Sequence, residues 1–195
     1  MSSNIYGDLV SLGLASDETA ELFADRTRDC ATVKVWRDHR SGVIFIKDFY
    51  IGHKSYRADG VDASSDDTIK RTSFEDAKDC TRRVNAFKQM YYQKTVCELG
   101  FGSGEFMQSV SPFCETINGV ELNAEQLFRL SEKGFVVKED LCQFEEKTFD
   151  SVFLFHTFEH FPDPLIKLDH IRKSLKNGGK VIIEVPHARD FLLRD

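Results

Sequence analysis

The chain has 195 residues, 41% hydrophobic and 30% charged, with a formal net charge of −6. That size suits one ordinary domain with a small appendage, and the acidic balance disfavours nucleic acid as a partner, since such binders usually show a basic face. No apolar run approaches the roughly 20 residues that span a bilayer. The N-terminus has no positive region followed by an apolar block, so no signal peptide is read and the expected location is cytoplasmic. Cysteines stand at 30, 80, 97, 114 and 142. Their odd number and the absence of any Cys-x-x-Cys pair exclude a disulfide framework and a zinc ribbon, leaving reduced, mostly buried thiols.

Taken in chain order, residues 16–25, "SDETAELFAD", read as a short helix capped by Ser16 or Asp17. "TVKVWRDHRSGVIFIKDFY" alternates apolar and polar residues on both sides of "RDHRSG", which predicts a β-hairpin with Gly42 in the turn. The Asp- and Ser-rich stretch 58–68 reads as a loop or boundary. Residues 73–92 read as a helix, and the basic patch within it, "TRRVNAFKQ", as a solvated face. From residue 94 short apolar runs alternate with amphipathic segments. "TVCELG", "INGVEL", "FVVKED", "FDSVFLF" and "KVIIEVP" read as five strands. Between them lie a helix from Asn123 to Gly134, capped by Asn123, and a helix from Asp163 to the Gly178–Gly179 stop. Leu165, Leu168, Ile171 and Leu175 form the apolar stripe of the second helix. Strand–helix alternation predicts a Rossmann-like, doubly wound α/β fold: a mainly parallel sheet with helices on both faces. A small α+β segment with the hairpin, residues 1–72, precedes this core at 73–195.

"VCELGFGSGEF" sets Gly100, Gly102 and Gly104 directly after a strand, where a tight turn lets backbone approach a ligand. The spacing is Gly-x-Gly-x-Gly, which weakens a dinucleotide reading, and no Gly-Lys-Ser/Thr follows, which excludes a P-loop. Glu121 ends the second strand and Asp140 the third. Ligands of such sheets sit beyond the strands' carboxyl ends. Glu121 could there accept hydrogen bonds from two ribose hydroxyls. Asp140 could take one from an adenine amino group, with Leu141 adding its N–H and an apolar contact.

Residues 94–188 resemble the Class I S-adenosylmethionine-dependent methyltransferases. The likeness is carried by "ELGFGSG", "VELN", "EDL", "FDSVFLFHTFEHFPDP" and "LKNGGKVIIEVP", in that order and spacing. "HTFEHFPDPLIKLDHIRKSLKNGGKVIIEVP" looks most like the group that includes sugar and small-molecule methyltransferases. The resemblance implies S-adenosylmethionine as cofactor and places Gly100, Gly102 and Gly104 beneath its methionine part. Leu99 and Phe101 belong to the same loop, and Glu98 would orient it through its backbone or the cofactor's amino group. Glu121 with Leu122 would hold the ribose, and Asp140 with Leu141 the adenine. Phe155 and His156 would flank the methyl group. The family sheet ordinarily has two further strands after the fifth, so the core is expected to be C-terminally incomplete. The hairpin stands where relatives often carry a cysteine-bearing zinc module, without the cysteines.

"FHTFEHFPDP" also contains His-x-x-Glu-His, a zinc-peptidase pattern. That reading needs His156, Glu159 and His160 on a stable helix and a third ligand downstream. The stretch instead follows a buried strand and is interrupted by Pro162 and Pro164, so no metal is expected. His156, His160 and Glu159 are the candidate general bases for an acceptor that must lose a proton, with His187 a further one. The leading reading is methyl transfer to a small molecule, a nucleotide-linked sugar among the options. RNA or protein methylation and a silent cofactor-binding or regulatory domain are the alternatives. Residues 1–72 would cover the acceptor or a partner.

Overall fold

The computed structural model describes residues 5–27, 31–47 and 77–186. These fall into two compact units. One is built on residues 5–47 together with Phe161–Lys167, the other on 77–160 and 168–186. The boundary expected near residue 72, the polar stretch 58–68, Cys30 and His187 lie outside the described residues. No helix among the described residues is long and apolar enough to cross a membrane.

The N-terminal unit opens with helix α1, Ile5–Ser11, and continues as a three-stranded antiparallel sheet. Its strands are β1 (Ala20–Ala24), β2 (Val35–Asp38) and β3 (Ile44–Phe45). The hairpin forms as expected, pairing Trp36 with Phe45 and Arg37 with Ile44, with Gly42 at φ 75° in the turn. The helix read over 16–25 does not form. Ser16 supplies one turn, its hydroxyl accepting from the Thr19 amide at 3.2 Å, and the chain then enters β1. Ala20–Ala24 is rich in helix formers, yet it pairs with β2, Glu21 opposite Arg37 and Leu22 opposite Trp36. Cross-strand partners decide such a stretch over intrinsic propensity. Asp38 ends β2, 2% exposed. It accepts from the Thr19 hydroxyl and from the amides of Arg40 and Ser41 at 3.0 and 2.8 Å. Those bonds, Thr19's foremost, hold its carboxyl well below the ordinary range.

The second unit is a five-stranded, wholly parallel sheet in the order β6-β5-β4-β7-β8. The strands are β4 (Thr95–Leu99), β5 (Thr116–Val120), β6 (Val136–Lys138), β7 (Phe149–Phe155) and β8 (Leu175–Glu184). Chain order runs outward from β4 to β6, then returns to β7 and β8. The reversal between β4 and β7 is the topological switch point, and it bears out the doubly wound prediction. Helices α4 (Glu105–Val110), α5 (Ala124–Glu132) and α6 (Pro164–Ser174) follow β4, β5 and β7. Before β4, helix α2 spans residues 77–86 and breaks at Phe87, and α3 resumes over Lys88–Tyr91. The break strands the Val84 carbonyl, which takes the Tyr91 hydroxyl at 2.9 Å.

The core is aromatic. Phe106 lies 5.1 Å from Phe153 and 4.9 Å from Phe155, ring centre to ring centre, and Phe87 stacks on Phe155 at 5.9 Å. Burying each such ring contributes about 2 kcal/mol or more. Asn123 caps α5 as read, its side chain accepting from the Gln126 amide at 3.1 Å. Two readings need correction. Helix α6 stops at Ser174, not at Gly178–Gly179; Leu175 already pairs with Phe149 and the glycines fall inside a bulge of β8. Leu165, read as part of the buried stripe, is 40% exposed, whereas Ile171 is 1% exposed. Of the thiols, Cys80 and Cys97 are buried but Cys142 is exposed.

Candidate active site

Three backbone positions of positive φ shape the turn after β4: Gly100 at 78°, Gly102 at 51° and Gly104 at 71°. At Gly100 glycine is required twice over. A Cβ there would stand 2.3 Å from the Thr157 Oγ1, besides the strained φ. The Gly100 amide donates to the Val120 carbonyl at 2.7 Å, which ties the turn to the end of β5. Thr157 Oγ1 bonds the Phe155 carbonyl at 3.1 Å and reaches the Gly100 carbonyl at 3.4 Å, which ties it to the end of β7. The turn is thus anchored on both sides of the switch point. Gly119 was not singled out in the sequence. A Cβ on it would meet the Phe101 ring at 2.5 Å and the Met107 sulfur at 2.8 Å.

The predicted residues divide into apolar supports and polar groups. Leu99, Phe101, Leu141 and Phe155 are 3%, 4%, 1% and 7% exposed. Phe101 and Phe155 belong to the hydrophobic core that carries the turn. Glu121 braces the loop. Its Oε2 accepts from the Gly102 amide at 2.9 Å, and its Oε1 from the Leu122 and Asn123 amides at 2.7 and 3.1 Å. With two lone pairs per oxygen, Oε1 is filled and Oε2 keeps one position for a ligand. Asp140 caps the turn Leu141–Gln143, accepting from the Cys142 amide at 2.8 Å, while the Gln143 Oε1 accepts from the Asp140 amide at 3.3 Å. One ligand atom each of Asp140, Cys142 and His170 lies within 4.8 Å of the others, a donor set that could hold a metal ion.

Glu98 is the penultimate residue of β4, at 5% exposure. Burial pushes its carboxyl up to about 8; Arg83 and the Met107 amide act against this and the Glu121 charge adds to it. Its Oε2 is buried and has no hydrogen-bond partner. A buried polar atom left this way costs on the order of 1–3 kcal/mol and calls for an explanation.

The lip beyond β7 brings two of the candidate bases, His156 and Glu159, together with Glu184, which the sequence reading did not single out. His156 sits at φ 51°, a strained value for a non-glycine residue, and its amide donates to the Glu184 carbonyl at 2.8 Å. Its Nε2 is 3.5 Å from Glu184 Oε1 and its Nδ1 3.7 Å from Glu159 Oε1. His160 Nε2 is 4.0 Å from the same Glu159 oxygen. Phe158–His160 is a single 3-10 turn, so the two histidines do not share the helical face that a zinc motif needs.

Arg82, Arg83 and Glu184 were missed. Glu184 Oε1 accepts from Arg82 at 2.8 Å and from the Arg83 Nε and Nη2 at 3.0 and 2.7 Å. Burial opposes the charge on Glu184, yet these two guanidinium groups hold its carboxyl below the ordinary range. Arg83 lies 4.6 Å over the Phe155 ring with its side chain 14% exposed, so the basic patch is not simply a solvated face. Glu184 carried a usable signal, an acid at the carboxyl end of a parallel strand, as at Glu121 and Asp140. Arg83 carried none, because its carboxylate partner lies 101 residues away in sequence.

A family model described as a methyltransferase domain matches residues 67–195. An uncharacterized protein of Methanocaldococcus jannaschii is 31% identical over 100 residues, covering 51% of this chain and 44% of its own. Phosphoethanolamine N-methyltransferase 2 of Caenorhabditis elegans is 28% identical over 165 residues, 77% of this chain and 37% of its own. The chain therefore spans less than half the length of these curated relatives. Among solved structures, a SAM-dependent methyltransferase from Archaeoglobus fulgidus superposes with a TM-score of 0.49 at 23% identity, covering 55% of this chain and 52% of its own. With the glycine turn, the switch point and the family match in place, the chain belongs to the Class I S-adenosylmethionine-dependent methyltransferases.

Proposed function

We propose that this chain transfers a methyl group from S-adenosylmethionine to a small-molecule acceptor. The observation that carries the proposal is the convergence, at the carboxyl ends of β4, β5 and β7, of a glycine turn, two acids and a histidine between carboxylates. The residues fit the cofactor. Gly100 and Gly104 leave no room for side chains of their own, and Glu98 Oε2 is a buried acceptor without a partner, suited to the ammonium of an amino acid. The remaining position on Glu121 Oε2 suits a ribose hydroxyl, and Asp140 with Leu141 suits the adenine edge.

When bound, S-adenosylmethionine supplies a sulfonium methyl already activated for in-line displacement. The protein's part is to align, to exclude water and to take a proton. Thr157 and Glu121 hold the turn rigid from both sides. His156 is the proposed base, with Glu159 and His160 beside it. A proton taken by either ring nitrogen leaves both N–H groups facing carboxylates, those of Glu159 and Glu184. The Arg82–Arg83 pair keeps Glu184 ionised and fixed for this role. Residues 1–72 are proposed as a separate region serving the acceptor or a partner.

The C. elegans relative is named for phosphoethanolamine, a small amine, which supports a small acceptor here. Phosphoethanolamine and nucleotide-linked sugars are the two classes to screen first. Titration with S-adenosylhomocysteine should show binding to the wild type and at least tenfold weaker binding to Glu121→Ala. A wild type that binds neither cofactor form would sink the proposal. Binding without turnover on any acceptor would favour a regulatory domain.

A further inference from the structure

Glu98 is the least satisfied charged group of the site. It stands near the end of the central strand, 5% exposed, with Oε2 buried and accepting from nothing, while the Met107 amide only opposes the upward push on its carboxyl. The groups facing it come from four elements. Arg83 and Cys80 approach from α2, the Met107 amide from α4, Glu121 from the end of β5, and Cys97 is its neighbour on β4. Arg83 is the one cation among these, and its Nε and Nη2 are spent on Glu184. Cys80 and Cys97 are buried thiols whose own ionisation burial disfavours. Glu121 is an acid whose charge adds to the upward push. A buried carboxylate with an oxygen that accepts from nothing and an acid for company does not hold its charge away from water.

We propose that Glu98 carries a proton in the cofactor-free protein and releases it when the cofactor's ammonium group docks against Oε2. This rests on the reading of the glycine turn as the cofactor site. The exchange balances: a carboxylic acid and an ammonium ligand become a carboxylate–ammonium pair, and one proton passes to the buffer. The unpartnered oxygen gains its missing donor, and the arriving cation supplies the charge that Arg83 withholds. Since burial pushes the free acid up to about 8, nearly every molecule carries this proton at pH 7.

The test is calorimetric titration of the intact chain with S-adenosylhomocysteine, which keeps the amino-acid end of the cofactor. At pH 7, in buffers of different ionisation enthalpy, the apparent enthalpy should report close to one proton released per ligand bound. Binding should be about 50-fold weaker at pH 6 than at pH 8. Glu98→Gln should bind more weakly and release no proton. Wild-type binding that is indifferent to buffer and pH would overturn the inference while leaving the cofactor site intact, and so would a Glu98→Gln protein that still releases the proton. Absence of wild-type binding would instead overturn the cofactor site itself. The wild-type measurement decides between these without relying on the variant to fold.

Discussion

Asp38 in the N-terminal sheet and Glu98 in the parallel sheet are both carboxylates buried at strand ends, 2% and 5% exposed. Their environments drive them in opposite directions. Asp38 accepts from the Thr19 hydroxyl and two backbone amides, and its carboxyl is held low. Glu98 has a buried oxygen that accepts from nothing and is pushed up to about 8. The fold satisfies Asp38 locally, as part of closing a hairpin. Glu98 is left short by one donor at the point where a ligand belongs. Counting donors around a buried acid thus separates an acid that holds the fold from one that waits for a partner.

The largest expected effect breaks this contrast directly. A raised folded value means that the free protein loses stability as pH rises from about 4.5 toward 8, because ionisation of Glu98 is penalised over that window. Glu98→Gln should therefore be the more stable protein at pH 8, by about 4 kcal/mol in chemical denaturation, and should gain nothing at pH 4.5. Asp38 should behave with opposite sign. Its folded value is depressed, so its contribution is present at neutral pH and lost as acid protonates it. Asp38→Asn should lower the unfolding midpoint at pH 7, with the deficit fading in strong acid. Should both substitutions lower stability at pH 8, the distinction between the two acids collapses.

Next in size is Gly100→Ala, which sets a methyl against Thr157 at a positive φ. A loss of about 3 kcal/mol is expected, together with weakened S-adenosylhomocysteine binding. Adding Thr157→Gly, which removes the Cβ at 2.9 Å together with the two branches, should return the steric part and leave about 1 kcal/mol from the left-handed backbone. A double variant no better than the single one would place the cost elsewhere. The smallest effect is Asn123→Ala, about 1 kcal/mol for the lost cap of α5. It should leave proton release untouched, which checks that the Glu98 effect is not mere loosening of the sheet.

The parallel core was legible because its signals are local and repeat. β7 occupies the apolar run "FDSVFLF" residue for residue, and Asn123 caps its helix where the sequence put it. Glycine is needed at 100 for its backbone angle, which the spacing conveyed, and also for the nearness of Thr157, which no spacing conveys. β1 was misread because "AELFA" by itself prefers a helix, and only the partner strand bearing Trp36 and Arg37 makes it a strand.

The amino-acid sequence by itself determined the alternation of strand and helix, the glycine turn and the acids at strand ends. Each of these depends on residues within one turn or strand of one another. Tertiary structure alone decided which acid is satisfied and which is not. Glu98 and Glu121 look alike as residues near strand ends. Folding brings three backbone amides to Glu121, leaves Glu98 Oε2 without a donor, and turns Arg83 toward Glu184. The energy of a buried charge is set by its neighbours in space, and those neighbours come from stretches far apart in the chain.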